Sequence, residues 1–446
     1  MRTAAVTPRK INLFDVHRKT AMQILSGPPI PEGQTHIDAV HPIPVATTVK
    51  VASTEVMEQA FRALMEFNPK IHEDLPQIEQ IYRRIGSQLE VYLNLAMSTA
   101  EGVGPNSHWA LSFSDGMRAI NASLEFTLRP GDEVVISKPL YGCTDDYFAE
   151  EGIARSQRGY VIHEVDLTNP QNIVQFLNPK TKIVYFETVT NPNLRVYDLE
   201  TISRLAKGEN PNILIVVDNT FPSPAGCNPL LHGADISVHS ATKVLGGFTQ
   251  EMAGVAVVPK ALWKQLFLFR KNTGGVPAPD QIHNLLTRGL PSLYVRFVDM
   301  QANAIEIADY LAGSAYIQKT HYPGLTSSPY HANARKLLTD WDGNFAPGFM
   351  IAFVPLGRTA EEQETRARGI LDYFSDHGEG IITHAVSLGG NKSLAEMPFL
   401  GTHATVPAED KARWEINEAM IRLSVGMAHH GDQIQLLADA IRHSYR

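Results

Sequence analysis

Short, largely apolar runs recur along the chain: Trp109 to Phe113, Val134 to Ile136, Ile183 to Phe186, Ile213 to Val217, Ile236 to Val238 and Ala253 to Val258. Runs of this length without polar alternation predict strands buried on both faces. Stretches of helical period lie among them. Val56, Met57, Ala60, Phe61, Leu64 and Phe67 recur at helical spacing, with Ser53 or Thr54 available as cap and Asn68-Pro69 as the stop. Another helix is predicted to begin near Met117, and a long amphipathic one opens at Arg288-Gly289-Leu290 and runs through Leu311. Strand and helix alternate up to residue 290, which predicts a mainly parallel sheet. Beyond it, helices and short strands such as Phe349 to Val354 predict a smaller α/β domain. The first fifty residues, rich in Pro, Thr and His, read as an extended arm. The expected division is residues 1–90 as arm and subunit-contact segment, 91–290 as the large domain and 291–446 as the C-terminal α/β domain.

The polar residues that end these runs carry the chemistry. Ile213 to Val217 stops at Asp218, and Ile183 to Phe186 stops at Glu187. The strand at Ile236 runs into His239-Ser240-Ala241-Thr242-Lys243 and the pair Gly246-Gly247. Alone, an Asp after a strand is a turn former, and a Lys beside glycines is solvated surface. Together, an acid at a strand end and a lysine flanked by two hydroxyls are what a pyridoxal phosphate site needs. That cofactor is held by a lysine Schiff base and an acidic partner for its ring nitrogen. The turn Ser114-Asp115-Gly116 before a helix start adds an anion site, since unpaired backbone N–H groups and the helix dipole favour negative charge there.

Composition narrows the class without changing this picture. Apolar residues at 43% and charged residues at 19% describe a globular chain. The charge balance, 39 basic against 47 acidic residues for a net of -8, argues against nucleic acid as a partner. No apolar run approaches a membrane span, and the start MRTAAVTPRKINLF lacks a signal-peptide core. The two cysteines, Cys143 and Cys227, form neither a disulfide framework nor a zinc site, so a reducing cytoplasm is expected.

Asp218-Asn219-Thr220, His232-Gly233-Ala234-Asp235 and Ser240-Ala241-Thr242-Lys243 together resemble the signature of the cysteine and methionine metabolism family of pyridoxal phosphate enzymes, the trans-sulfuration enzymes. The resemblance implies an aspartate-aminotransferase-like (type I) α/β fold. It implies that Lys243 carries the cofactor and moves protons, and that Asp218 faces the ring nitrogen. Ser240, Thr242 and the backbone of Gly116 and Met117 would hold the phosphate. Tyr141 would stack on the ring and donate protons, and Asn191 would bond its phenolic oxygen. Tyr82 and Arg84 match the family segment that reaches the phosphate of a neighbouring subunit, which implies a homodimer or homotetramer with shared sites. Arg422 would bind the substrate α-carboxylate, supported by Ser387 and Leu388. The chain departs from the family pattern at Asp115, at Arg118, at Gly86-Ser87-Gln88 and in a long segment from Glu66 to Gln80.

Cys143 beside Tyr141, and Val386 where many members carry an acid, are similar to the methionine γ-lyases. The expected activity is γ-elimination from a γ-substituted L-amino acid, with methionine, an O-substituted homoserine or canavanine as candidates. The alternatives are a γ-replacement enzyme of the cystathionine γ-synthase or O-acyl-homoserine sulfhydrylase type, and a catalytically silent homologue that binds the cofactor. No metal is expected.

Overall fold

The computed structural model describes residues 43–66, 82–401 and 411–446, apart from positions 45, 49, 105, 379, 412 and 415. Most of the expected arm, Phe67 with the helix stop at Asn68-Pro69, and the long segment before Tyr82 lie outside the described residues. The first periodic stretch forms the helix Thr54–Glu66, and Ser53 Oγ accepts the Val56 amide at its start.

Seven strands build the larger sheet: β1 (His108–Phe113), β2 (Glu133–Ile136), β3 (Val161–Glu164), β4 (Thr181–Glu187), β5 (Leu214–Asp218), β6 (Ile236–Ser240) and β7 (Gly254–Pro259). Their spatial order is β1-β7-β6-β5-β4-β2-β3. All contacts from β6 to β3 are parallel, while β7 runs antiparallel to β6 and β1. Every apolar run named above therefore became a strand. The exposed start of β3, with Val161 at the surface, left no such run to read.

Side-chain alternation divides these strands between two cores. Ile215 and Val217 of β5 and Val184 and Phe186 of β4 enter one apolar cluster, and Val216 and Tyr185 enter the other. The first cluster contains the helix Gln88–Ala100 and continues through the long helix Leu290–Gly313. The second contains the helix Gly116–Glu125. Because Glu187 stands in register with Asp218, period two places both carboxylates on the face of that shorter helix. His239, one residue past Val238, falls on the opposite face.

Five further strands, β8 (Ile317–His321), β9 (Met350–Pro355), β10 (Ile382–His384), β11 (Ser393–Glu396) and β12 (Ile421–Ser424), form the second sheet in the order β10-β11-β12-β9-β8. The helix Leu290–Gly313 buries Leu293, Phe297, Met300, Ala304, Ile307 and Leu311, a stripe at helical spacing, in the core that reaches Ile351 and Phe353 of β9. That continuous apolar contact holds the C-terminal sheet against the larger one. A large mainly parallel sheet with a smaller α/β part is the expected architecture. Among the described residues no helix is long and apolar enough to cross a membrane.

Candidate active site

Parallel strands gather ligands at their carboxyl ends, where the chain turns away and leaves polar groups free. Here β4, β5 and β6 end at Glu187, Asp218 and Ser240. All three line one cavity of about 290 Å³. Asp218 is buried; Thr220 restrains it through its amide at 3.0 Å and its hydroxyl at 2.6 Å. Burial pushes the Asp218 carboxyl up, and the Thr220 hydrogen bonds oppose that shift. Glu187 is pushed well up by burial and then by Asp218 beside it. Two acids lining one cavity favour a cation beside them, as a protonated pyridine ring would supply.

The loop after β6 brings the lysine to the same space. Thr220 Oγ1 accepts the Ser240 amide at 2.8 Å, so the acid loop and the lysine loop are joined. Thr242 Oγ1 takes the Ala253 amide at 3.2 Å and donates to the Ala253 carbonyl at 3.3 Å. Lys243 Nζ donates to Ser387 Oγ at 2.9 Å. Burial first, and then the nearby Arg422, lowers the Lys243 pKa, which favours the neutral amine.

Opposite this loop the helix Gly116–Glu125 presents its N-terminus. A Cβ at Gly116 would sit 2.7 Å from the Ser240 hydroxyl, so only glycine lets the two segments meet. Gly116, Met117, Ser240 and Thr242 thus edge one end of the cavity with backbone N–H groups and hydroxyls. This donor set fits a phosphate group, and with Lys243 and Asp218 the residues fit pyridoxal phosphate. Asp115 also lines the cavity and caps the helix, accepting the Arg118 amide at 2.7 Å. Arg118 donates to the Gly274 carbonyl and lies over the Phe269 ring.

The C-terminal part supplies the remaining wall. Arg422, on β12, is buried and pairs with Glu396 at 2.5 Å; the two residues are in register across β11 and β12. Its fork also donates to Asn191 Oδ1 at 3.0 Å and to the Ser387 carbonyl at 3.1 Å. Ser387 has φ +85°, an uncommon backbone for a residue with a side chain, and stands between Val386 and Leu388 on the cavity wall. The following Gly389 packs so closely on Val244 that a Cβ would meet its amide nitrogen at 2.5 Å.

Tyr141 lines the cavity and immediately precedes the short helix Gly142–Phe148, with no side-chain capping bond. Burial and the neighbouring Cys143 raise the Tyr141 pKa, keeping the phenol protonated. Cys143 is exposed, with Sγ 3.5 Å from that phenol oxygen. Twelve predicted site residues meet in this one cavity: Gly116, Met117, Tyr141, Asn191, Asp218, Ser240, Thr242, Lys243, Val386, Ser387, Leu388 and Arg422. Tyr82, Arg84 and Cys143 are not among its lining residues. Tyr82 is exposed, Arg84 lies over its ring and Arg84 Nη1 donates to the Lys271 carbonyl at 2.7 Å.

Several supporting residues carry no clear signal in the sequence. Glu396 is brought to Arg422 only by strand register, which the sequence does not show. Thr220 lies inside the Asp218-Asn219-Thr220 stretch, but its hold on both Asp218 and Ser240 needs the fold. On the reverse face of the sheet, His239 Nε2 and Glu101 Oε1 meet at 2.5 Å with both side chains fully buried. His239 precedes Ser240, and Asn219, which follows Asp218, reaches the same Glu101 oxygen at 3.5 Å. An acid at the end of an apolar helix gives no hint of this contact.

Fold and cavity together define a pyridoxal phosphate enzyme of the aspartate-aminotransferase-like class. The family model described as Cys/Met metabolism PLP-dependent enzyme matches residues 32–442, and the chain belongs to that family. It is 36% identical over 360 residues to an L-methionine gamma-lyase of Pseudomonas deceptionensis, covering 80% of this chain and 83% of that protein. It is 32% identical to the cystathionine gamma-lyase of Bos taurus over 81% of this chain and 83% of that one. A crystal structure of cystathionine gamma synthase from Xanthomonas oryzae pv. oryzae, in complex with aminoacrylate and cysteine, superposes with TM-score 0.79 at 29% identity, covering 95% of this chain and 98% of the other.

Proposed function

We propose that the protein catalyses γ-elimination on L-amino acids with a sulfur or oxygen substituent on the γ-carbon, consuming water and releasing the γ-group, ammonia and a 2-oxo acid. The observation that carries this reading is the cavity in which a lysine of lowered pKa, a protonated tyrosine and a buried arginine face one another. When bound, pyridoxal phosphate supplies the sink for the electron pair left at the substrate α-carbon.

The chain's own residues do the rest. Gly116 and Met117 N–H groups and the Ser240 and Thr242 hydroxyls would hold the phosphate, Asp218 would hold the ring nitrogen, Tyr141 would stack on the ring and Asn191 would bond its phenolic oxygen. Arg422 and Ser387 receive the α-carboxylate, with Leu388 fixing the loop. Neutral Lys243 takes the α-proton and then moves a proton from the β-carbon. Tyr141, kept protonated by burial, donates to the departing γ-group. Exposed Val386 and the Cys143 thiol flank the substrate side chain. Tyr82 and Arg84 complete the phosphate site of a second copy, giving a homodimer or a homotetramer of such dimers, and the free thiols Cys143 and Cys227 suit the cytoplasm.

A second reading, γ-replacement, draws support from the likeness to cystathionine gamma synthase. Incubating the holoenzyme with methionine, an O-acyl homoserine or canavanine, with and without cysteine, separates the two. Elimination gives a 2-oxo acid and ammonia without thiol; a thioether product formed only with cysteine would support replacement. An intact cofactor with no turnover of any of them would leave a silent homologue. Mixing Arg84→Ala with Lys243→Ala subunits should restore activity, and absence of rescue contradicts shared sites.

A further inference from the structure

Glu187 takes no part in the scheme above, yet its carboxylate is buried and lines the cavity. Both oxygens are engaged by backbone. Oε1 accepts the Tyr141 amide at 2.6 Å and Oε2 accepts the Asn191 amide at 2.9 Å. These amides belong to two loops, one leaving β2 and one leaving β4. Asn191 Oδ1 in turn takes the Arg422 guanidinium. One side chain at a strand end therefore spans the two loops that carry the proposed ring-stacking and ring-oxygen contacts.

We propose that Glu187 is a positioning residue: its carboxylate sets the spacing of Tyr141 and Asn191 and so fixes the orientation of the cofactor ring relative to Asp218. The proposal rests on the assignment of those two residues to the ring. Two features beyond the hydrogen bonds support it. Glu187 is in register with Asp218 on the neighbouring strand, so strand pairing ties the spanned loops to the acid. An ionised carboxyl is also the side chain suited to the task, because it offers two acceptors and no donor, and the two amides favour that form against the opposing effect of burial. Glutamine would turn a donor toward one of the two amides, and aspartate, one methylene shorter, reaches only one of them.

The test uses Glu187→Gln and Glu187→Asp holoenzymes. Visible circular dichroism of the bound cofactor reports ring orientation without any substrate, and kcat and KM are measured on whichever amino acid the wild type turns over. Both variants should lose most of the induced visible signal, and kcat should fall about 10²-fold, as for a small misplacement of reacting groups, with KM little changed. Combined with Tyr141→Ala, the Glu187→Gln loss should be less than additive. An unchanged visible signal and kcat with a lowered melting temperature would reduce Glu187 to a loop fastener and overturn the proposal. So would wild-type behaviour of Glu187→Asp, since the span would then be irrelevant. Should Glu187→Gln fail to fold, the Glu187→Asp holoenzyme decides the matter through the same two readouts. If the wild type turns over no γ-substituted amino acid, the dichroism still decides, so this claim and the proposed activity fail separately.

Discussion

The two walls of the cavity hold their charges by different means. On the large-sheet wall, Asp218 and Glu187 stand at ends of buried strands and are restrained by backbone amides and the Thr220 hydroxyl. No cationic side chain is among those partners, so a cationic ligand can take that place. On the C-terminal wall the opposite holds. Arg422 is matched by Glu396 within the protein, and its remaining donors point to Asn191 and the Ser387 carbonyl. One wall is thus prepared for a permanent guest, and the other keeps a balanced charge that an incoming carboxylate must share. On the proposed scheme the cofactor takes the first wall and the amino acid the second.

Substitutions on each wall should separate accordingly. The largest effect belongs to Lys243→Ala: turnover should fall by about 10³-fold or more, the range for a removed acid-base group. Steady-state assays of the loaded variant check it, and retention of activity breaks the scheme. Asp218→Asn should lower kcat about 10²-fold, comparable to losing one preorganised electrostatic partner, and shift the cofactor's absorption band. Arg422→Ala should instead raise KM while leaving that band in place. It should also destabilise the fold by about 3–5 kcal/mol, because the buried ion pair with Glu396 is broken. Equal spectral effects from the two walls would erase the comparison.

A subtler effect tests Asp115, a carboxylate beside Gly116 at the proposed phosphate end. Asn caps a helix as well as Asp does, so Asp115→Asn removes charge without removing the cap. Cofactor affinity of the apoprotein should rise, by up to about tenfold for a relief near 1.4 kcal/mol; a looser complex would contradict it. The smallest effect concerns pH. Lys243 holds its proton less tightly in the folded chain than in the unfolded one, through burial and then Arg422. The unfolded state therefore binds more protons between the lowered value and the usual lysine value near ~10.4, and apoprotein stability should rise with pH across that window. Denaturant titrations should show this slope flatten in Lys243→Met. Arg422→Leu removes a repelling cation, so the Lys243 pKa should rise and the pH profile of cofactor uptake should move upward.

The legibility of the site follows the same division. Strand ends could be read because buried parallel strands are unbroken apolar runs, so Asp218 and Glu187 mark their own positions. Lys243, with Ser240 and Thr242 at fixed offsets, needed no tertiary information. The C-terminal wall was only half readable. An arginine among Ile421 and Leu423 signals a buried cation, but its partner Glu396 is set by antiparallel register between β11 and β12. The left-handed backbone of Ser387 had no glycine to announce it. The contact between Glu101 and His239 joins a helix end to a strand far along the chain, and neither local period nor spacing encodes it.

The central claim is that the Lys243 amine holds the cofactor. Borohydride reduction of the purified holoenzyme, followed by peptide mapping with mass spectrometry, tests it directly. The account predicts loss of the yellow colour with one phosphopyridoxyl group on Lys243. A label on any other lysine, or a protein that stays colourless after reconstitution, would contradict it.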